Sequence, residues 1–126
     1  MCYHSKKGDD NVIFKNDECK VEYRENMRGG DGTVEIRNLV SGDKLLDKGR
    51  LFAEITLPVG ASIGYHVHEG DSEIFRLLEG TAEYSDNGEL KTVSAGDVLV
   101  CGVGEGHSIK NIGDAPVKMT ALIIYA

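Results

Sequence analysis

Apolar positions recur with a period of two along much of the chain. From Thr33 to Leu39, Val34, Ile36 and Asn38 fall on one face and Glu35 and Arg37 on the other, the pattern of a half-buried strand. Leu51, Ala53, Ile55 and Leu57 define another, with Phe52 behind them. Pro58 ends that strand because it has no N–H to give the ladder. Asp86-Asn87-Gly88 separates Thr81–Ser85 from Glu89–Val93, and Asn-Gly between two alternating runs predicts a hairpin. Val98 to Cys101 reads as a short, fully buried strand. Val117 to Tyr125 reads as a long one, apolar on both faces, whose second face something must cover. One or two short strands are expected between Asn11 and Glu25, anchored by Val12, Ile13 and Phe14 and then by Val21 and Tyr23. Asn26 to Gly32 reads as a turn and Ser41 to Leu46 as one helical turn. Nine or ten short strands without a long helix predict an all-β sandwich or barrel.

A length of 126 residues suits one domain, expected over residues 11–126, behind a polar and charged first ten residues expected to be flexible. Sixteen glycines and no tryptophan fit a small β structure with tight turns. The formal charge of −7 and the scattered lysines argue against a nucleic-acid or anionic-membrane surface, since phosphate binding needs clustered Lys and Arg. No stretch approaches the roughly 20 apolar residues of a membrane helix. Met1-Cys-Tyr-His-Ser-Lys-Lys lacks the apolar run of a signal peptide or anchor. The three cysteines, Cys2, Cys19 and Cys101, form no closely spaced pair, and their odd number argues against a disulfide framework. A reducing cytoplasm is the expected compartment.

The candidate chemistry lies between Gly60 and Asn111. His66 and His68 are one residue apart, and in an extended segment they point the same way with about 7 Å between their Cα atoms. Glu69-Gly70-Asp71-Ser72 reads as a turn, with Gly70 free to take positive φ and Asp71 and Ser72 able to bond nearby backbone. The turn would return Glu73 beside the histidines. His107 supplies a fourth candidate ligand, so three of the chain's four histidines fall in the pattern. Cys2 and His4 are a weaker metal-binding candidate.

These two stretches resemble the cupin superfamily. Gly60, His66, His68, Glu73 and Gly80 fill every fixed position of its first motif, and Gly96, Gly104, His107 and Asn111 match its second. Gly102 stands where the second motif has proline, which is expected to loosen a turn without removing a ligand. The resemblance implies a jelly-roll barrel whose ligands line one open end. It implies one divalent transition metal at His66, His68, Glu73 and His107, a mixed nitrogen and oxygen shell compatible with Mn, Fe, Zn or Ni.

Among small cupins the chain is similar to oxalate-decarboxylase-like members. In oxalate enzymes of the superfamily an arginine just before the first histidine helps hold substrate, and Ser62-Ile63-Gly64-Tyr65 contains none. By strand parity Ser62, Gly64, Phe75, Leu77 and Ile109 share the ligand face, predicting an apolar pocket with few proton-transfer groups. Tyr65 and Arg76 lie at opposite parity, suiting packing or surface roles. Cys101 suits a small buried hydrophobe, and Asn111 could orient its loop. The expected function is a metal-dependent oxidoreductase or lyase acting on a small chelating acid, enol or sugar-like molecule, with weak or no oxalate activity. A non-catalytic metal- or metabolite-binding or sensing domain and a sugar-phosphate isomerase are the alternatives; the isomerase would want a cationic clamp that parity does not supply. A homodimer is expected from the two-sided Val117–Tyr125 strand, with the N-terminal strands as the contact.

Overall fold

The computed structural model describes residues 13–126, so the expectations for residues 1–12, including Cys2, His4 and Val12, lie outside the described residues. Ten strands carry the fold: β1 Val21–Glu25, β2 Thr33–Val40, β3 Gly49–Leu57, β4 Ser62–Val67, β5 Asp71–Glu79, β6 Thr81–Asp86, β7 Glu89–Ser94, β8 Val98–Cys101, β9 Gly106–Asn111 and β10 Val117–Tyr125. They form a six-stranded sheet in the order β1-β2-β3-β10-β5-β8 and a four-stranded sheet in the order β4-β9-β6-β7. Every pairing is antiparallel. Three 3-10 turns, and no α-helix, complete the described residues.

The period-two pattern explains the core. Val34, Ile36, Ala53, Ile55 and Leu57 from β2 and β3 meet Phe75, Leu77, Met119 and Ala121 from β5 and β10, with Ala82, Tyr84 and Ile109 of the smaller sheet in the same cluster. This is the expected all-β jelly-roll architecture. The Asp86–Gly88 hairpin forms as expected, with Asn87 at φ 53° and Gly88 at φ 94°, the left-handed pair that a two-residue turn needs. Ser41–Leu46 contains the expected turn at Gly42–Leu45.

Three expectations are corrected. β8 is an edge strand and not fully buried: Leu99 and Cys101 face the core, while Val98 and Val100 are each 58% exposed. A run of four apolar residues cannot distinguish a central strand from an edge strand with one bare face. Residues 13–15 form no strand, and Ile13 is 75% exposed. Of the one or two strands expected there, one, β1, precedes β2 among the described residues, and neither Ile13 nor its Tyr23, which points to solvent, is the buried anchor expected. Finally, Gly102 does not loosen its turn. Its N–H donates to Glu105 Oε1 at 2.7 Å, a bond no proline could make, and Glu105 N–H donates back to the Gly102 carbonyl at 3.0 Å.

Candidate metal centre

The four candidate ligands come from both sheets and meet at one end of the barrel. His66 in β4 lies directly opposite His107 in β9, and His68 follows β4 at the turn. Glu73 is in β5 of the other sheet, paired with Cys101 and Ile123. Backbone bonds tie the two motif segments together, His68 N–H to the Glu105 carbonyl at 2.9 Å and Gly104 N–H to the His68 carbonyl at 2.7 Å. The chain must then turn sharply at Gly70, φ 77°, before β5 can return Glu73 to the histidines.

His68 Nε2 lies 3.1 Å from Glu73 Oε1 and 3.1 Å from His107 Nε2. His107 Nε2 is 3.1 Å from Glu73 Oε1 and 3.2 Å from His66 Nε2. All four donor atoms fall within 4.8 Å of one another. Metal–ligand bonds of about 2.1 Å meeting at roughly 90–110° place neighbouring donors about 3.0–3.4 Å apart, so the spacing fits a single ion.

The opposite edge of each imidazole leaves the inner nitrogens able to hold a cation. His66 Nδ1 lies 2.8 Å from the Gly64 carbonyl and His68 Nδ1 lies 2.7 Å from Asp71 Oδ1, so both Nδ1 atoms must donate. In the neutral ring that leaves Nε2 as a bare lone pair. His107 Nδ1 is 2.9 Å from the Tyr84 hydroxyl, which can accept its proton. Three lone pairs and a carboxylate oxygen then face one point. One metal ion could satisfy them together. Phe75 fixes the His107 ring from beneath, stacked at 5.2 Å between centroids and 7° between planes.

Electrostatics follows this arrangement. Burial holds His66 below the ordinary imidazole pKa, helped by neighbouring His107 and Arg28 and partly offset by its bond to Gly64. His68 is held above it, first by the bond to Glu73 and then by Asp71, against the effect of burial. Burial works against charge on Glu73, but bonds to His107 and His68 outweigh it and keep the carboxyl below its ordinary range. Burial likewise opposes the charge of Asp71, and Arg50 and His68 more than compensate. Burial pushes the Cys101 thiol up to about 11, so it is a poor nucleophile and a small buried hydrophobe as expected.

The pocket beside these ligands has a volume of about 250 Å³ and is not the apolar, cation-free space that parity predicts. Ile36, Ile55, Ile63 and Ile123 line it, but so do Glu22, Arg24, Arg28, Asn38 and Arg50. Parity fails in β4 because its pairing with β9 shifts register between Ile63 and His66. The irregularity turns Ile63 into the pocket. Ser62 and Gly64 instead meet the turn after β1: Ser62 Oγ accepts from Asp31 N–H at 2.8 Å, and a Cβ at Gly64 would strike the Arg28 carbonyl oxygen. Phe75, Leu77 and Ile109 do face inward, into the core beneath the site.

The remaining candidates take structural positions. Tyr65 is half exposed and covers Gly106, where any Cβ would meet its ring. Arg76 is exposed. Asn111 is buried and orients its loop, donating to the carbonyls of Leu57 and Ala115 at 2.9 Å each and accepting from Gly113 N–H at 2.9 Å. Asp71 and Tyr84 were not among the sequence candidates. Asp71 shares the parity of Glu73 and Phe75, which could have revealed it; Arg24, Arg28 and Arg50 come from outside the ligand segments and carry no such signal.

The Cupin domain profile matches residues 53–125. The chain belongs to the cupin family. It is 42% identical over 113 residues to a Thermotoga maritima protein named oxalate-binding protein, covering 90% of this cupin and 93% of the relative. It is 32% identical over 89 residues to an uncharacterized protein of Methanocaldococcus jannaschii, covering 71% and 70% of the two chains. The crystal structure of a predicted oxalate decarboxylase from Thermotoga maritima superposes with a TM-score of 0.87 at 41% identity, covering 91% of this cupin and 100% of that chain. KdgF from Halomonas shares the fold at a TM-score of 0.70 and 16% identity, covering 92% and 96% of the two chains. Among the described residues no helix is long and apolar enough to cross a membrane.

Proposed function

We propose that this cupin holds one divalent transition metal at His66, His68, Glu73 and His107 and uses it to bind a small chelating organic acid, acting as a metal-dependent oxidoreductase or lyase. The observation that carries the reading is the convergence of the Nε2 atoms and the Glu73 oxygen at spacings of 3.1–3.2 Å on the wall of an open pocket. Bound there, the ion would supply Lewis-acid or redox chemistry. The chain's own groups orient and enclose. Asp71, Gly64 and Tyr84 hold the three rings in the ligating tautomer, the isoleucines exclude water, and the arginines draw anions to the pocket. A volume of about 250 Å³ lies below the roughly 300–1,000 Å³ of drug-sized sites, so the ligand is small.

A second reading, binding without turnover, is favoured by the name of the 42% identical relative, oxalate-binding protein. It is also favoured by the scarcity of free acid–base groups in the pocket beyond the ligands and Glu22. The arginines remove the objection to a sugar-phosphate isomerase, so such substrates belong in the same test. Protein loaded with Mn, Fe, Zn or Ni should be offered oxalate, hydroxy acids, diketones, catechols and sugar phosphates while oxygen uptake, carbon dioxide release and isomerisation are followed. Metal-dependent turnover of an acid supports the enzyme. Tight metal-dependent binding with no turnover in any loaded form supports the binding protein.

A further inference from the structure

We infer that Arg28 sets the ligand selectivity of this site: it clamps the outer carboxylate of a small dicarboxylate dianion whose other end chelates the ion. The inference rests on the metal-centre reading above and adds the charge class of the ligand and the residue that chooses it. Arg28 lines the same cavity as His66, His68 and Glu73. The other two arginines there are already engaged, Arg50 with Asp71 at 2.8 Å and Arg24 with Glu22 at 3.8 Å. The Arg28 guanidinium has no hydrogen-bond or ion-pair partner among the described residues.

Its placement is fixed by backbone. Arg28 sits in a left-handed conformation, φ 55° and ψ 29°, in the turn Met27–Gly29. The turn is pressed onto β4 where two residues lack side chains. A Cβ at Gly64 would strike the Arg28 carbonyl oxygen, and a Cβ at Gly30 would come within 2.8 Å of the Ser62 carbonyl carbon. Asp31 closes the contact from both sides, donating its N–H to Ser62 Oγ and accepting the Ser62 N–H at its carbonyl, each at 2.8 Å. The turn is therefore anchored two residues before His66, and a long, unpaired cation is presented to the ligand pocket from a fixed base.

Charge decides the ligand class. With neutral imidazoles, a divalent ion and Glu73 leave one net positive charge. The Arg50–Asp71 and Arg24–Glu22 pairs cancel. Arg28 adds one more, so the lined cavity carries two positive charges, which a dianion neutralises and a monoanion does not. Arg28 is exposed and can turn its guanidinium fork onto a carboxylate edge without leaving another partner, and an anion enclosed between it and the ion must match their combined charge. The arginine missing before the first histidine is thus supplied from another element, and weak affinity for oxalate no longer follows.

Calorimetric titration of the full chain loaded with Mn or Zn, with oxalate as the dianion and glycolate as the monoanion, tests this. Ion content is measured first. Arg28→Gln should weaken oxalate roughly ten- to a hundredfold, the loss expected for a charge-assisted bond, while ion content is unchanged. Glycolate should change by less than about threefold, as for a solvent-screened charge, and Arg28→Lys should recover part of the oxalate affinity. If the ion is retained but Arg28→Gln binds oxalate like the parent chain, or loses both ligands equally, the clamp is wrong while the metal centre stands. A parent chain that takes up no ion overturns both.

Discussion

Each site imidazole is oriented through the nitrogen that faces away from the ligand cluster, and the orienting groups differ in kind. His66 uses a backbone carbonyl, His68 a charged carboxylate and His107 a phenol that burial keeps protonated. Removing an outer-shell partner typically lowers metal affinity about ten- to a hundredfold. Asp71→Ala should fall in that range, measured by competition with a chromophoric chelator, because it frees His68 and leaves Arg50 unpaired. Acid should act through His68 first. Its pKa is raised in the metal-free chain, so the protonated pair with Glu73 and Asp71 stabilises that form below the unfolded imidazole value, about 6.5, and is lost as pH rises through the raised value. Metal must displace this proton, so affinity should begin to decline above about pH 6.5 and fall steeply below about 6; His66, shifted down, stays neutral further into acid. Glu73 and Asp71 have the opposite linkage: their contribution is present above the ordinary carboxylate range and disappears as pH falls through their depressed values.

Among the elements, β4 departs furthest from its sequence pattern, and it bears on function more than any other strand. Its register shift separates Ile63, which enters the pocket, from Ser62 and Gly64, which receive the turn bearing Arg28. Gly64→Ala should cost about 1–3 kcal/mol as an overpacking change. Hydrogen exchange should rise selectively over residues 26–32 if the turn is displaced, and remain unchanged if it is not docked on β4. The convergence of His66, His68, Glu73 and His107 was legible in the sequence because they sit at tight spacings punctuated by turn glycines. So were β2, β3 and the Asn87-Gly88 hairpin, where one alternating face is buried. The pocket was not, because strict alternation breaks at an irregular pairing and because Arg24, Arg28 and Arg50 reach it from other segments. β8 was misjudged for a related reason: Val98 and Val100 are apolar on a face that no described residue of this chain covers.

At the scale of the whole molecule, Val98 and Val100 belong to a larger feature. Val40, Phe52, Leu122, Ile74 and Val100 lie opposite one another in register across β2, β3, β10, β5 and β8, on the face of the six-stranded sheet turned away from the core. The second face of Val117–Tyr125 is apolar only along this row, since Lys118 and Thr120 share it and Thr120 lies between Glu54 and Arg76; a second copy of the chain is the cover we propose for the row. Light scattering at micromolar concentration should report a homodimer, and Leu122→Asp, which puts a charge mid-row without touching the core, should give a folded monomer. A parent chain that is monomeric under those conditions contradicts the pairing.

The metal centre is the claim on which the chemistry rests, and its most direct test is ion content by mass spectrometry after purification and reconstitution, comparing the parent chain with the His66→Ala/His107→Ala double variant. One divalent ion per chain in the parent and almost none in the folded double variant is the predicted result. Stoichiometric metal retained by the double variant would contradict the assignment of His66, His68, Glu73 and His107 as the ligands.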